Sequence, residues 1–182
     1  MDYKQKYLKY KQKYLELKKQ IGGEDAVISK YFYMRSSNSD VNTQINTIIS
    51  ELGGEEITKP QLLAYLGSID YCRRGGNPFC NLDGWADLII GVVDTKGFCS
   101  VINVQTYQIS RSKSFFIQKA ISDSRTKRKM KVLINNVLIP LAKSLRLTAI
   151  NTTHKDDRSK DFWKHMGFEE QADDTLQLKL VK

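Results

Sequence analysis

The sequence predicts a mixed α/β fold, with a mostly antiparallel central sheet flanked by helices and an amphipathic helix in front of it. Three observations predict it. Apolar, β-branched stretches alternate along the chain with stretches whose apolar residues recur three and four apart. Two apolar runs in the middle, 85–93 and 98–109, are joined only by Asp94-Thr95-Lys96-Gly97, which is hairpin spacing and makes the centre antiparallel. The first 21 residues repeat a Tyr/Lys unit unlike the rest of the chain.

In that leader, Tyr3, Tyr7, Tyr10, Tyr14, Leu17 and Ile21 form a seam at spacings of four and three, widened by Leu8 and Leu15. The unit YKQKYLK at 3–9 is echoed as YKQKYLE at 10–16. Gly22-Gly23 supplies a helix stop and a hinge, which divides the chain into a basic helical leader at 1–23 and a domain at 24–182. Three heptads are marginal as an isolated helix. A solvated tail, self-association or partner docking through residues 3–21, and an anionic surface all stay open. The segment resembles the Tyr/Lys-rich leaders of many proteins of amoeba-infecting giant viruses of the mimivirus type. That resemblance implies an origin, with the host cytoplasm or the virion as location, and no chemistry.

Within the domain, 26–35 (AVISKYFYMR) is apolar and β-branched enough for a first strand. Residues 36–39 are a turn, and Asp40 is an N-cap for a helix carrying Val41, Ile45, Ile48, Ile49 and Leu52, stopped by Gly53-Gly54. Thr58 and Pro60 open a second helix with Leu62, Leu63, Leu66 and Ile69 on one side. Residues 72–84 (CRRGGNPFCNLDG) are an irregular loop before the central hairpin. Then come a strand at 115–121, a helix at 126–144, a strand at 146–152, a helix at 156–166, and a last strand at 176–181. A short strand is expected near 168–171.

Composition narrows the functional classes. The net charge of +9 suggests a polyanion partner, but the leader alone holds seven Lys against Asp2 and Glu16. The other 161 residues therefore carry only +4, which argues against nucleic acid as the main partner. No apolar run is long enough to span a bilayer, and the leader lacks the apolar core of a secretory signal. Cys72, Cys80 and Cys99 cannot all pair, and without a signal they read as reduced thiols of a cytoplasmic protein. No Cys-x-x-Cys or tetrahedral set emerges with His154 and His165, so no metal site is expected.

Residues 119–168 carry the most specific pattern. A strand ends at Ile121, and a basic loop follows with Arg125, Lys127, Arg128, Lys129 and Lys131 around Met130. An apolar helix comes next, then a strand, then a helix ending Phe162-Trp163-Lys164-His165-Met166-Gly167-Phe168. This resembles the GNAT superfamily of acyl-CoA-dependent N-acetyltransferases, whose loop reads (Q/R)-x-x-G-x-(G/A) and whose later helix ends F-Y-x-x-x-G-F. With the element order, the resemblance covers about 150 residues. It implies a GNAT-like sheet and acetyl-CoA as co-substrate, bound in a splay between two central strands, with the pyrophosphate at the helix N-terminus. Arg125 fits the first loop position, whereas Arg128 and Met130 stand at the two small ones. The resemblance then implies that side-chain charge on Arg125, Lys127, Arg128, Lys129 and Lys131 holds the phosphates in place of glycine backbone.

Phe162, Gly167 and Phe168 stand where the family has them, and Trp163 stands where a tyrosine often protonates the departing thiolate. An indole N–H cannot donate that proton. The family's Asn-x-x-Ala is here Asp156-Asp157-Arg158-Ser159. His154, just after a central strand, is a candidate for catalysis; Asp94, Asp123 and Cys99 are groups that nothing singles out. Two functions follow. One is acetyl transfer from acetyl-CoA to a primary amine of a small molecule or protein, directly within a ternary complex. The other is a GNAT-fold module without catalysis, serving in binding or assembly through the leader.

Overall fold

The computed structural model describes residues 29–34, 40–67, 88–94, 99–106, 109–122, 129–154 and 156–180. The leader with its Gly22-Gly23 hinge, the turn at 36–39, the loop at 72–84 and the tip of the central hairpin lie outside the described residues. The strands are β1 (Ser29–Met34), β2 (Gly54–Glu56), β3 (Leu88–Val93), β4 (Cys99–Gln105), β5 (Ser114–Ser122), β6 (Ala149–Thr152), β7 (Glu169–Glu170) and β8 (Leu176–Lys179). They form one sheet in the order β2-β1-β3-β4-β5-β6-β8-β7. Neighbours are antiparallel except for β1–β2 and β5–β6, which are parallel. Helices are α1 (Asp40–Glu51), α2 (Lys59–Gly67), α3 (129–144) and α4 (Asp157–His165).

Side chains of alternate residues along β1, β3 and β4 enter two different cores, as the period of two requires. Phe32, Leu88, Ile90, Val92, Ile102 and Val104 belong to the larger core with α1, α3 and Trp163. Tyr31, Ile89, Val93 and Val101 belong to the smaller one, under Leu62 and Leu66 of α2. Strand β3 is buried at all six positions, so its unbroken apolar run is that of a strand covered on both faces. Gly91 interrupts the run because the Tyr31 ring lies across it, stacked on Tyr65 with ring centroids 4.7 Å apart.

Each helix ends or starts with local chemistry that the sequence spells out. At the start of α2, the Gln61 side chain reaches back to accept from the Thr58 backbone N–H at 2.8 Å. In α4, Asp156 accepts from the Ser159 backbone N–H at 2.7 Å, and the Ser159 hydroxyl accepts from the Asp156 N–H, a reciprocal capping box. In α3, Pro140 has no N–H for an i−4 bond, and a π-turn at Ile134–Leu138 sits directly before it. Its end is a Schellman cap: Leu147 N–H donates to Ala142 O and Arg146 N–H to Lys143 O, both at 2.9 Å. Helix α4 ends the same way, with Phe168 N–H to Trp163 O and Gly167 N–H to Lys164 O, each 3.0 Å.

Three boundaries differ from the sequence reading. Strand β2 is additional: α1 carries the chain back parallel to β1, and Ile57 N–H extends the pairing to Phe32 O at 2.9 Å. Lys30 Nζ donates to the Leu52 carbonyl and so covers the end of α1. The second hairpin strand ends at Gln105, short of 109, because Ile109–Ser112 forms a helical turn. Strand β6 begins at Ala149 and not at 146, because Arg146 occupies the left-handed position of the cap with φ +56°.

That position gives a direct check. A non-glycine residue in left-handed geometry costs about 1 kcal/mol. Arg146→Gly is therefore expected to raise stability by up to ~1 kcal/mol in urea denaturation, while Gly167→Ala, at φ +90°, is expected to lower it by a similar amount.

Candidate functional site

The site is built by a fault in the sheet. β5 is nine residues long, and on one edge β4 follows it as far as Ser122. On the other edge β6 pairs with it only through Ser114–Ile117, opposite Ala149–Thr152. Residues 118–122 consequently have no strand beside them on that edge among the described residues. At the last pair, the Thr152 hydroxyl donates to the Ile117 carbonyl at 3.1 Å, on a side chain only 2% exposed. That bond pins the point from which the strands part.

A β-bulge lies at the same level. Asn103 pairs with Lys119 and the next residue, Val104, with Ile117, so Gln118 is an extra residue on β5. The insertion exchanges the two faces. Phe115 and Ile117 pack in the larger core before it; Ala120 packs against that core after it, and Ile121 against the smaller one. A bulge beside a functional cleft re-aims backbone groups as well as side chains.

Two further elements converge on the opening. Helix α3 starts at Lys129, seven positions after β5 ends, so its N-terminal N–H groups and positive dipole end lie at that end of the sheet. The chain leaving β6 carries His154, two residues beyond the pin. Its ring is half-buried, and Nδ1 is enclosed without a hydrogen-bond partner. A buried, unpaired imidazole nitrogen is costly in a purely structural role.

The structure distributes the expected site residues unevenly. Ile121 is half-buried on the stretch of β5 beyond Ile117 and packs against the smaller core. Lys129 is nearly buried and forms an ion pair with Asp94 at the end of β3, with the two side chains 12% and 11% exposed. Its charge is thus already neutralised. Met130 is packed in the larger core, so its bulk is turned away from the loop. Lys131 is exposed. Arg125, Lys127, Arg128 and Asp123 lie outside the described residues. Trp163 is 5% exposed and packs on Phe168, with ring centroids 5.0 Å apart, and edge-on to Phe162. It is thus the apolar contact that accompanies the α4 Schellman cap.

The sequence reading missed Thr152 and Asn103 and had no reason to prefer Asp94. The one signal for Asn103 is a polar residue at an alternating position of the apolar run VINVQ. Helix α4 is moored to β7 by Glu170, which accepts from Lys160 and from Lys164, the latter at 3.2 Å. The Lys160 hydrogen bond, followed by that of Lys164, holds the Glu170 carboxyl below its ordinary range. Its small contribution is therefore present above that range and fades as the pH falls through it.

Among the described residues, no three His, Cys, Asp or Glu side chains are grouped to hold a metal ion, and no helix is long and apolar enough to cross a membrane. No family model and no curated protein matches the chain. Solved structures do. The chain is similar to a GNAT-family acetyltransferase from Staphylococcus aureus Mu50, at 15% identity over 85% of this chain and 100% of that one, with a TM-score of 0.42. It is similar to the Escherichia coli GNAT family N-acetyltransferase YhbS in complex with CoA, at 11% identity over 86% and 84%, TM-score 0.45. It is also similar to a mutant AtaT toxin bound to the C-terminus of the antitoxin AtaR and acetyl-CoA, at 9% identity over 84% and 92%, TM-score 0.40. These likenesses concern the fold, and no residue role is carried over from them.

Two substitutions test the geometry. Thr152→Val keeps the shape but removes the pin, and is expected to cost about 1 kcal/mol in chemical denaturation. Lys129→Ala strands the Asp94 carboxylate and is expected to cost about 1–3 kcal/mol, against a few tenths for Lys131→Ala. Equal effects of the two lysines would show that the ion pair is not buried as described.

Proposed function

We propose that the protein is an acetyl-CoA-dependent N-acetyltransferase that passes the acetyl group to a primary amine by direct transfer in a ternary complex. The observation that carries this reading is the opening of β5 beyond the Ile117–Thr152 pair, beside the start of α3. The helix end Phe162–Phe168 supports it through its resemblance to the GNAT motif. An open strand edge suits a pantetheine arm, which carries amides of its own and can continue the ladder. The donors of residues 118–122 would also polarise the thioester carbonyl.

In this reading Arg125, Lys127, Arg128 and Lys131 supply charge for the phosphates. Lys129, paired with Asp94, holds the start of α3 in place instead. His154, two residues beyond Thr152, takes the proton that the attacking amine must lose. A C–N bond forms as the C–S bond breaks, and the thiolate leaves towards water, because Trp163 has no acidic proton to offer. The alternative of a binding module without catalysis is favoured by that same tryptophan.

The tests separate binding from chemistry. Acetyl-CoA at about 100 times its dissociation constant should stabilise the protein by ~2.7 kcal/mol, read as a thermal shift. Calorimetric affinity should fall as salt rises, and Arg125→Ala or Arg128→Ala should weaken it more than Lys113→Ala. In a thiol-release assay with polyamines, aminosugars and Lys peptides, His154→Gln should lower turnover by about 10²-fold or more, and Trp163→Tyr should leave it unchanged or raise it. Binding without release above the hydrolysis blank in either the wild type or Trp163→Tyr would favour the non-catalytic module.

A further inference from the structure

Asn103 brings an unsatisfied polar atom into the interior of the sheet. It lies in the middle of β4 and is 7% exposed, and its Oδ1 is fully enclosed with no hydrogen-bond partner. Leaving a buried carbonyl oxygen unpaired costs about 1–3 kcal/mol, and an apolar residue of the same size would avoid that cost. The neighbours show that the position is not simply a polar stretch. Ile102 and Val104 on either side are fully buried in the larger core, and Ile89, opposite on β3, is in the smaller one.

Its place in the register is what singles it out. Asn103 pairs with Lys119, immediately after the extra residue Gln118, so it sits one strand away from the point where β5 loses its partner β6. By alternation it shares the face of Val101 and Gln105, the face that carries the smaller core. Gln105, two residues along and about 7 Å away, is also 7% exposed. Opposite them on β5 are Lys119 and Phe116. The other face at this level is filled by Ile102, Val104, Phe115 and Ile117, each wholly buried. Of the two faces of β4 at this level, the one with Asn103 and Gln105 is therefore the one that offers polar side chains.

We infer that Asn103 Oδ1 recognises the acceptor: it accepts a hydrogen bond from an N–H of the primary amine and fixes its nitrogen beside the β5 bulge, with Gln105 on the same face of β4. This inference rests on the acetyltransferase reading and deepens it. An acceptor-only oxygen has no hydrogen to donate, so it selects a substrate group that carries hydrogens on nitrogen and discriminates against tertiary amines and esters. A site built to satisfy a buried polar atom rejects an analogue lacking the matching donor far more strongly than a site built on apolar contact.

The experiment uses the full chain with Asn103→Leu and Asn103→Ala. Asn103→Leu removes the orphan oxygen at near-constant volume. It is expected to keep or raise the melting temperature and leave acetyl-CoA affinity unchanged, while raising the acceptor KM at least tenfold. Spermidine, glucosamine, a Lys peptide and hydroxylamine serve as acceptors, with N,N-dimethylated counterparts as controls. A structural role would instead lower the melting temperature and leave KM alone. That outcome, or an unchanged KM in both variants, overturns the inference. Wild-type turnover on none of the four acceptors, with acetyl-CoA bound, also overturns it, since the acceptor class is then wrong. Failure of acetyl-CoA to bind at all overturns the transferase reading underneath.

Discussion

The structure depends on where one strand pairing stops inside its sheet. A strand in the interior of a sheet ordinarily has a partner on both edges, because unpaired backbone groups away from water are expensive. β5 keeps both partners up to Ile117 and loses one beyond it. The Thr152 hydroxyl closes the ladder at that pair, so the strands part at a fixed point rather than fraying. The bulge at Gln118 falls on the other edge at the same level and turns the remaining residues of β5 over. His154, the start of α3 and Asn103 are all placed relative to this opening.

Around it, the fold is held by devices that have nothing to do with chemistry. Both long C-terminal helices end in Schellman caps, one using Gly167 and the other forcing Arg146 into left-handed geometry. This explains why the stretch Phe162–Phe168 marks the fold so well and the activity so poorly. Gly167 is required by its positive φ, and Phe168 by its contact with Trp163 across the cap. An aromatic ring at 163 satisfies that packing whether or not it bears a hydroxyl. Trp163 therefore reports on packing at the cap and not on proton transfer.

Much of this architecture was legible in the sequence. Apolar spacing placed α1, α2 and α3, the ending Phe162–Phe168 marked α4, and Asp94–Gly97 marked the hairpin at the centre. Strand β2 was not legible, because three residues at an edge show no period and form only when α1 returns the chain beside β1. Thr152 reads as an ordinary strand residue, since its role comes from Ile117, 35 positions away. The basic run was read as one phosphate-binding surface. The ion pair with Asp94 takes Lys129 out of it, and only the fold brings those two residues together. Asn103 was passed over because a single amide in an apolar run has no motif.

The proposed function needs the edge of β5 beyond Ile117 to be accessible to acetyl-CoA. Backbone amide exchange over 118–122, measured with and without acetyl-CoA, tests it most directly. The account predicts that the amides there facing away from β4 exchange readily in the free protein and become protected on binding, while those at 114–117 are slow throughout. Amides at 118–122 already as slow as those at 114–117 would contradict it, as would acetyl-CoA binding that leaves their exchange unchanged.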